Sequence, residues 1–131
     1  MKTSPTQRSL AYLRQEGWTC AITEHWNQWA KIRQDLFGFG DILALHPQKR
    51  RILLVQTTSA DNLSHRREKI LTDPKVSANA TTWILACGTI HLHAWGLQGP
   101  RGSKKSWVLH AQEIFYDPIA NKLHASEDLS I

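Results

Sequence analysis

Two short apolar runs, residues 42–45 (Ile-Leu-Ala-Leu) and 52–55 (Ile-Leu-Leu-Val), stand close together around the segment His46-Pro47-Gln48-Lys49-Arg50. No other feature limits the chain's folds as much. Runs this short, separated by turn-forming residues, predict a hairpin of two buried strands. Asp41 stands at the entrance to the first strand and Gln56-Thr57-Thr58 at the exit of the second. A period of two places Leu54, Gln56 and Thr58 on one face, so polar groups extend an apolar line. Gly38 and Gly40 allow a tight bend just before Asp41.

Around this hairpin the signals alternate between helix and strand. Ser4-Pro5-Thr6-Gln7 combines a capping hydroxyl, proline in the first turn and Gln three residues after the cap, which predicts a helix over 5–16 closed by Gly17. From Trp18 to Trp26 the period is two, putting Trp18, Cys20, Ile22, Glu24 and Trp26 on one strand face. Ser59, Asp61 and Asn62 can cap a helix over 61–71, with Leu63, Arg67, Ile70 and Leu71 inward and Arg66 and Lys69 on an adjacent face, ended by Pro74. Residues 83–86, 90–95 and 107–114 read as further strands, 96–105 as a flexible basic loop, and the segment after Asp117-Pro118 as a loosely held tail. The expectation is a single α/β domain over 1–131, with its core at about 5–95 and a C-terminal strand and tail over 96–131.

A chain of 131 residues fits one hydrophobic core, for which roughly 100 to 150 residues is usual. No apolar run approaches the roughly 20 residues that cross a bilayer, and the N-terminus lacks the apolar centre of an export signal, so a cytoplasmic protein without a membrane partner is expected. Cys20 and Cys87, far apart, read as two buried free thiols rather than a disulfide framework. His91 and His93 share a strand face, but no third ligand stands at a useful spacing for zinc.

Charge is uneven. Sixteen Lys and Arg against eleven Asp and Glu give +5, and residues 46–75 alone hold seven basic residues against three acids. Arg101, Lys104 and Lys105 form a second basic group, whereas the last twenty-one residues carry four acids and one lysine. A basic middle suits a polyanion, with Lys49, Arg50, Arg51, Arg66, Arg67, Lys104 and Lys105 as the candidate nucleic-acid-binding residues. A solvated charged surface is the alternative. Six tryptophans are many for this length. Trp18, Trp26, Trp83 and Trp95 are placed for core packing, while Trp29 and Trp107 could stack on unpaired bases.

Phosphodiester hydrolysis needs oxygen ligands converging on a hard cation, and Asp41, Asp35, Glu24 and the carbonyl oxygen of Gln56 are the supply. Each has an ordinary reading as well. Asp41 can be a turn residue, Asp35 a partner of Arg33, Glu24 an edge-strand charge, and Gln56 and Thr58 a solvated strand end.

The order helix, three strands, helix, strand, with Asp41 opening the second strand and Gln56-Thr57-Thr58 ending the third, resembles the PD-(D/E)XK nuclease superfamily over roughly residues 5–95. The run Asp35-Leu36-Phe37-Gly38-Phe39-Gly40-Asp41 and the downstream Arg66-Arg67-Glu68-Lys69-Ile70 look like its small phage and bacterial members. The resemblance implies a restriction-endonuclease-like αβββαβ core, a central mixed sheet flanked by helices, and Mg2+ or Mn2+ held by Asp41, Gln56 and Asp35. Asp41 then matches the family aspartate, Gln56 its glutamate and Thr58 its lysine, and Glu24 stands where resolvase-like members carry an extra acid. Thr58 cannot supply a lysine's charge, so Lys69 or Arg66 on the following helix is expected to replace it. The implied function is metal-dependent DNA endonuclease, with branched DNA among the substrates. A catalytically silent nucleic-acid-binding or protein-interaction module is the alternative, and a homodimer joined through its Trp-rich strands is a third reading.

Overall fold

A computed structural model describes residues 3–129; residues 1, 2, 130 and 131, the ends of the leading segment and of the tail, lie outside the described residues. Helix α1 (Pro5–Gln15) begins as its sequence dictates, with the Ser4 hydroxyl accepting from the Gln7 N–H at 3.2 Å. Gly17 follows it at φ +92°, a conformation that glycine adopts without steric cost. Strands β1 (Thr19–Ile22), β4 (Ile42–His46) and β5 (Arg51–Ser59) form an antiparallel meander. After a 3-10 turn at Ala60–Asn62, helices α2 (Leu63–Thr72) and α3 (Pro74–Leu85) lead to β6 (Thr89–Gln98), which pairs parallel to β5. Strands β7 (Ser106–Asp117) and β8 (Lys122–Ala125) complete a mixed six-stranded sheet of order β1-β4-β5-β6-β7-β8. The fold is mixed α/β.

The central strands are buried on both faces. On one side Leu10 and Leu13 of α1 pack against Trp18, Ile42, Ala44, Leu53 and Val55. On the other, Ile70 of α2 and Val76 and Ala80 of α3 pack against Phe39, Leu54, Ile90, Leu92 and Ile114. Each fully buried Leu or Ile contributes about 1.5–3 kcal/mol relative to an exposed one, so the sheet is fixed between the helices mainly by these contacts.

Several expectations change. The strand expected from Trp18 to Trp26 breaks after Ile22, and the chain leaves the sheet to form a separate ribbon of β2 (His25–Asn27) and β3 (Ile32–Gln34). Trp26 is consequently exposed, not a core residue. Residues 83–86 close α3 and are not a strand. Asp73 caps α3 by accepting from the N–H groups of Lys75 and Val76, both at 3.0 Å, with Pro74 at the first helical position. That is the same signal as Ser4-Pro5, here masked by the β-branched and aromatic end Thr81-Thr82-Trp83-Ile84. The Ser59 and Asn62 side chains make no capping bond to the turn and helix they precede. The supposed tail holds β8, whose turn is fixed by Asp117 accepting from the N–H groups of Ile119 and Ala120. Neither thiol is buried: Cys20 is half-buried and Cys87 exposed.

Candidate metal centre

Antiparallel pairing of β4 with β5 sets Ile42 against Val55, and the Asp41 N–H donates to the Val55 carbonyl at 2.8 Å. Asp41 therefore sits beside the exit of β5, next to Gln56 and Thr57. Its Oδ2 accepts three hydrogen bonds: from Gln56 Nε2 at 2.8 Å, the Thr57 N–H at 2.7 Å and Thr57 Oγ1 at 3.0 Å. The Thr57 hydroxyl also meets Thr6 Oγ1 at 2.7 Å, tying the start of α1 to the same point.

Asp35 reaches this place through a tight loop. Leu36 and Gly40 exchange backbone hydrogen bonds at 2.8 Å each, and Phe37 and Gly38 between them have φ +57° and +87°. Phe39, fully buried, anchors the loop, and Asn79 Nδ2 on α3 donates to the Phe37 carbonyl at 3.1 Å. Gly40 has no room for a side chain, because a Cβ there would lie 2.5 Å from Leu54 Cδ1. Glu24 arrives from the other side. The Thr23 N–H donates to the Asp41 carbonyl and its hydroxyl to the Gly40 carbonyl, both at 2.9 Å, which holds the junction of β1 and β2 against the start of β4. Arg33, foreseen as a partner of Asp35, pairs instead with Glu24 at 3.6 Å.

Carboxylate oxygens of Glu24, Asp35 and Asp41 all lie within 4.8 Å of one another. Burial, together with a hydrogen bond to Asp35 and that residue's negative charge, pushes the Asp41 carboxyl up to about 8, against the lowering effect of the Thr57 N–H and hydroxyl. Asp41 thus holds a proton that a cation could replace, because removing that proton leaves charge in a site already rich in acids.

The acids open into a cleft of about 790 Å³ at the exit of β5, also lined by Gln56, Thr57, Thr58, Arg66, Lys69 and Lys75. In an open α/β sheet this is where ligands bind, outside the carboxyl ends of parallel strands. Thr58 is buried on the cleft wall. The cleft thus gathers Glu24, Asp35, Asp41, Gln56, Thr58, Arg66 and Lys69, seven of the residues singled out in the sequence.

Other basic residues do not join them. Arg67 turns toward β7, donating from Nη1 to Gln112 Oε1 at 3.1 Å. Lys49 and Arg50 lie in the β4–β5 turn and Arg51 starts β5, at the opposite end of the sheet from Asp41; Arg51 is 3.6 Å from Glu113. Lys104 and Lys105 belong to the loop joining β6 to β7, which leaves the sheet at the same end as the cleft because β6 runs parallel to β5. Gln56, foreseen as an oxygen ligand, presents its amide nitrogen to Asp41. Thr57 was missed because alternation sends its side chain to the face away from Gln56, yet both its backbone N–H and its hydroxyl reach Asp41 Oδ2 at the strand end. Lys75 was missed as a cleft residue because α3 was not foreseen.

His91 and His93 sit elsewhere, on the α1 face. His93 is buried, its Nδ1 2.9 Å from Ser9 Oγ, and Trp95 Nε1 donates to the same oxygen at 2.9 Å. His91 Nε2 lies 3.4 Å from Glu113 Oε1.

Comparison with protein-family models, with curated proteins and with solved structures gave no match to this chain.

Proposed function

We propose that this protein is a Mg2+- or Mn2+-dependent DNA endonuclease of the PD-(D/E)XK, restriction-endonuclease-like type. The observation carrying this reading is the convergence of Glu24, Asp35 and Asp41 in a cleft that also presents Arg66 and Lys69. A helix on one side, a meander, two helices and a parallel strand are in keeping with the resemblance. Three carboxylates at this spacing suit a hard, oxygen-seeking cation, and Asp41, Asp35 and Glu24 are the residues that would hold it. When bound, such an ion supplies a Lewis acid and a source of hydroxide near neutral pH.

The chain's own groups divide the remaining work. Gln56 Nε2 and the Thr57 N–H and hydroxyl hold one oxygen of the Asp41 carboxyl group, which also shares a hydrogen bond with Asp35. Arg66 and Lys69 approach from α2 and offset phosphate charge, the service that Thr58 cannot give. Lys104 and Lys105, at the same end, would hold the backbone beyond the cleft.

A second reading has one observation in its favour. The hydrogen bond from Gln56 to Asp41 satisfies the carboxylate without a cation, as expected of a nuclease fold that binds nucleic acid without cutting it. Incubation with supercoiled, linear and branched DNA in magnesium or manganese, beside Asp41→Asn, decides between them. Cleavage lost in the variant supports hydrolysis; salt-sensitive binding with no cleavage by the wild type supports the silent module.

A further inference from the structure

We propose that the ribbon formed by β2 and β3 is a base-stacking finger that engages unpaired nucleotides through Trp29. This rests on the reading of the cleft as a nucleic-acid site and names the kind of substrate that site receives. Trp29 stands in the turn of the ribbon and is 89% exposed, the most exposed of the tryptophans. Trp26 on the adjoining arm is 58% exposed. Two large indoles in water on one small ribbon are unfavourable for a surface with nothing to cover them.

The tip is built to hold its shape. Asn27 Oδ1 accepts from the N–H groups of Trp29 and Ala30, both at 3.0 Å, and Asn27 Nδ2 donates to Gln34 Oε1 at 3.2 Å across the ribbon. An ordered aromatic at a turn loses little freedom on stacking, which favours binding.

Position and charge identify the occupant. One whole arm of the ribbon, Ile32, Arg33 and Gln34, is itself a wall of the cleft. The turn that carries Trp29 adjoins Ile32 and so follows directly from that wall. Residues 25–34 contain Lys31 and Arg33 and no acid. Arg33 is engaged by Glu24 at the base, while Lys31 stands two residues from Trp29 at the tip. A phosphate chain lying along Arg66 and Lys69 would thus leave the cleft beside a cation and an exposed indole. Every base offers a π-face, and such stacking tolerates any sequence but requires a base that is not already stacked in a duplex.

Fluorescence anisotropy in EDTA, where hydrolysis plays no part, tests this with a labelled oligothymidylate and a blunt duplex of equal length. Trp29→Ala should weaken oligothymidylate binding by about five- to hundredfold, the effect of losing one stacked base, while duplex binding changes by less than about twofold. Trp29→Phe should retain most of the affinity, and circular dichroism would establish that both variants fold. Unchanged oligothymidylate affinity in Trp29→Ala, equal losses on both probes, or no binding of either probe by the wild type overturns the proposal. So does a wild-type dimer that becomes monomeric in Trp29→Ala by sedimentation, because the indole would then cover a second copy. A stacking effect without cleavage would defeat only the hydrolytic reading, and Asp41-dependent cleavage without a stacking effect only the finger.

Discussion

Two buried titratable groups lie on opposite faces of the same sheet, and both are held neutral around pH 6, for different reasons. Beneath α1, His93 Nδ1 shares a hydrogen bond with the Ser9 hydroxyl, whose oxygen also accepts from Trp95, and burial, aided by the charge of His91, lowers the imidazole to about 3. Across the sheet, Asp41 is raised to about 8 by burial and by Asp35, and it opens into the cleft. The first site is a closed hydrogen-bond network within the core. The second keeps its proton because burial and the neighbouring Asp35 carboxylate disfavour another charge, an arrangement that gains by exchanging the proton for a cation. Burial alone therefore does not separate structural from functional polar groups; what the group faces does.

The largest effect that sharpens this contrast is expected from Asp41→Asn. The amide oxygen can accept the hydrogen bonds of Gln56 and Thr57 while its nitrogen donates to Asp35, imitating the protonated acid. The variant should fold, and cleavage should fall by at least about a hundredfold, the usual cost of losing one preorganised electrostatic group. A pH series adds the sign. Asp41 titrates near 8 when folded and near 3.8 as an ordinary carboxyl, so its contribution to stability is full below about 3.8 and is lost as pH rises toward 8. Chemical denaturation should show wild type losing up to about 1.4 kcal/mol per pH unit relative to Asp41→Asn across that window. Magnesium should restore wild-type stability more at pH 8 than at pH 5, and should do little for the variant. A flat difference between the two proteins would break the comparison.

The closed site predicts a smaller effect of opposite sign. His93 is lowered on folding from 6.5 to about 3, so its contribution is present above 6.5 and lost as pH falls toward 3. Ser9→Ala removes the oxygen that Trp95 and His93 share and leaves two buried polar groups without that partner, at a cost of about 1–3 kcal/mol in denaturation midpoint measurements. Cleavage by folded Ser9→Ala should match wild type, since the network lies beneath α1 and not in the cleft.

The two sites also differed in how far the sequence revealed them. Asp41, Gln56 and Thr58 were legible because strand alternation and the glycine-bounded loop concern residues close in the chain. Asp35 and Glu24 could be named as ligand candidates, but their approach to Asp41 depends on the Thr23 anchor and the Asn79 tie, contacts between distant segments. The Ser9, His93 and Trp95 network joins residues more than eighty positions apart and left no local trace. Helix α1 and the β4–β5 hairpin were legible from capping and turn chemistry. Helix α3 has an equally good start at Asp73-Pro74, but its β-branched and aromatic end, Thr81-Thr82-Trp83-Ile84, favours a strand. Strand β8 buries Leu123 while Lys122 and His124 stay exposed, so its pairing with β7 rather than its composition makes it a strand.

Within the basic residues the same contrast between cleft and remainder predicts graded effects. Lys69→Ala and Arg66→Ala should each reduce DNA cleavage by about tenfold, the scale of one charge-assisted contact at roughly 1.4 kcal/mol. Each should also lower the slope of log affinity against log salt by about one, as expected when one phosphate contact is lost.

The smallest change is expected from Lys49→Ala and Arg50→Ala. They belong to the turn between β4 and β5, five or more residues along β5 from Gln56, which at roughly 3.3 Å per residue puts them about 16 Å or more from the acids. At physiological ionic strength that exceeds the screening length of about 8 Å, so their field at the cleft is weak. Affinity for a short oligonucleotide should change by less than about twofold and the salt slope not at all. A loss as large as that of Lys69→Ala would mean that the nucleic acid wraps the far end of the sheet, and the division between a functional cleft and a merely charged turn would fail.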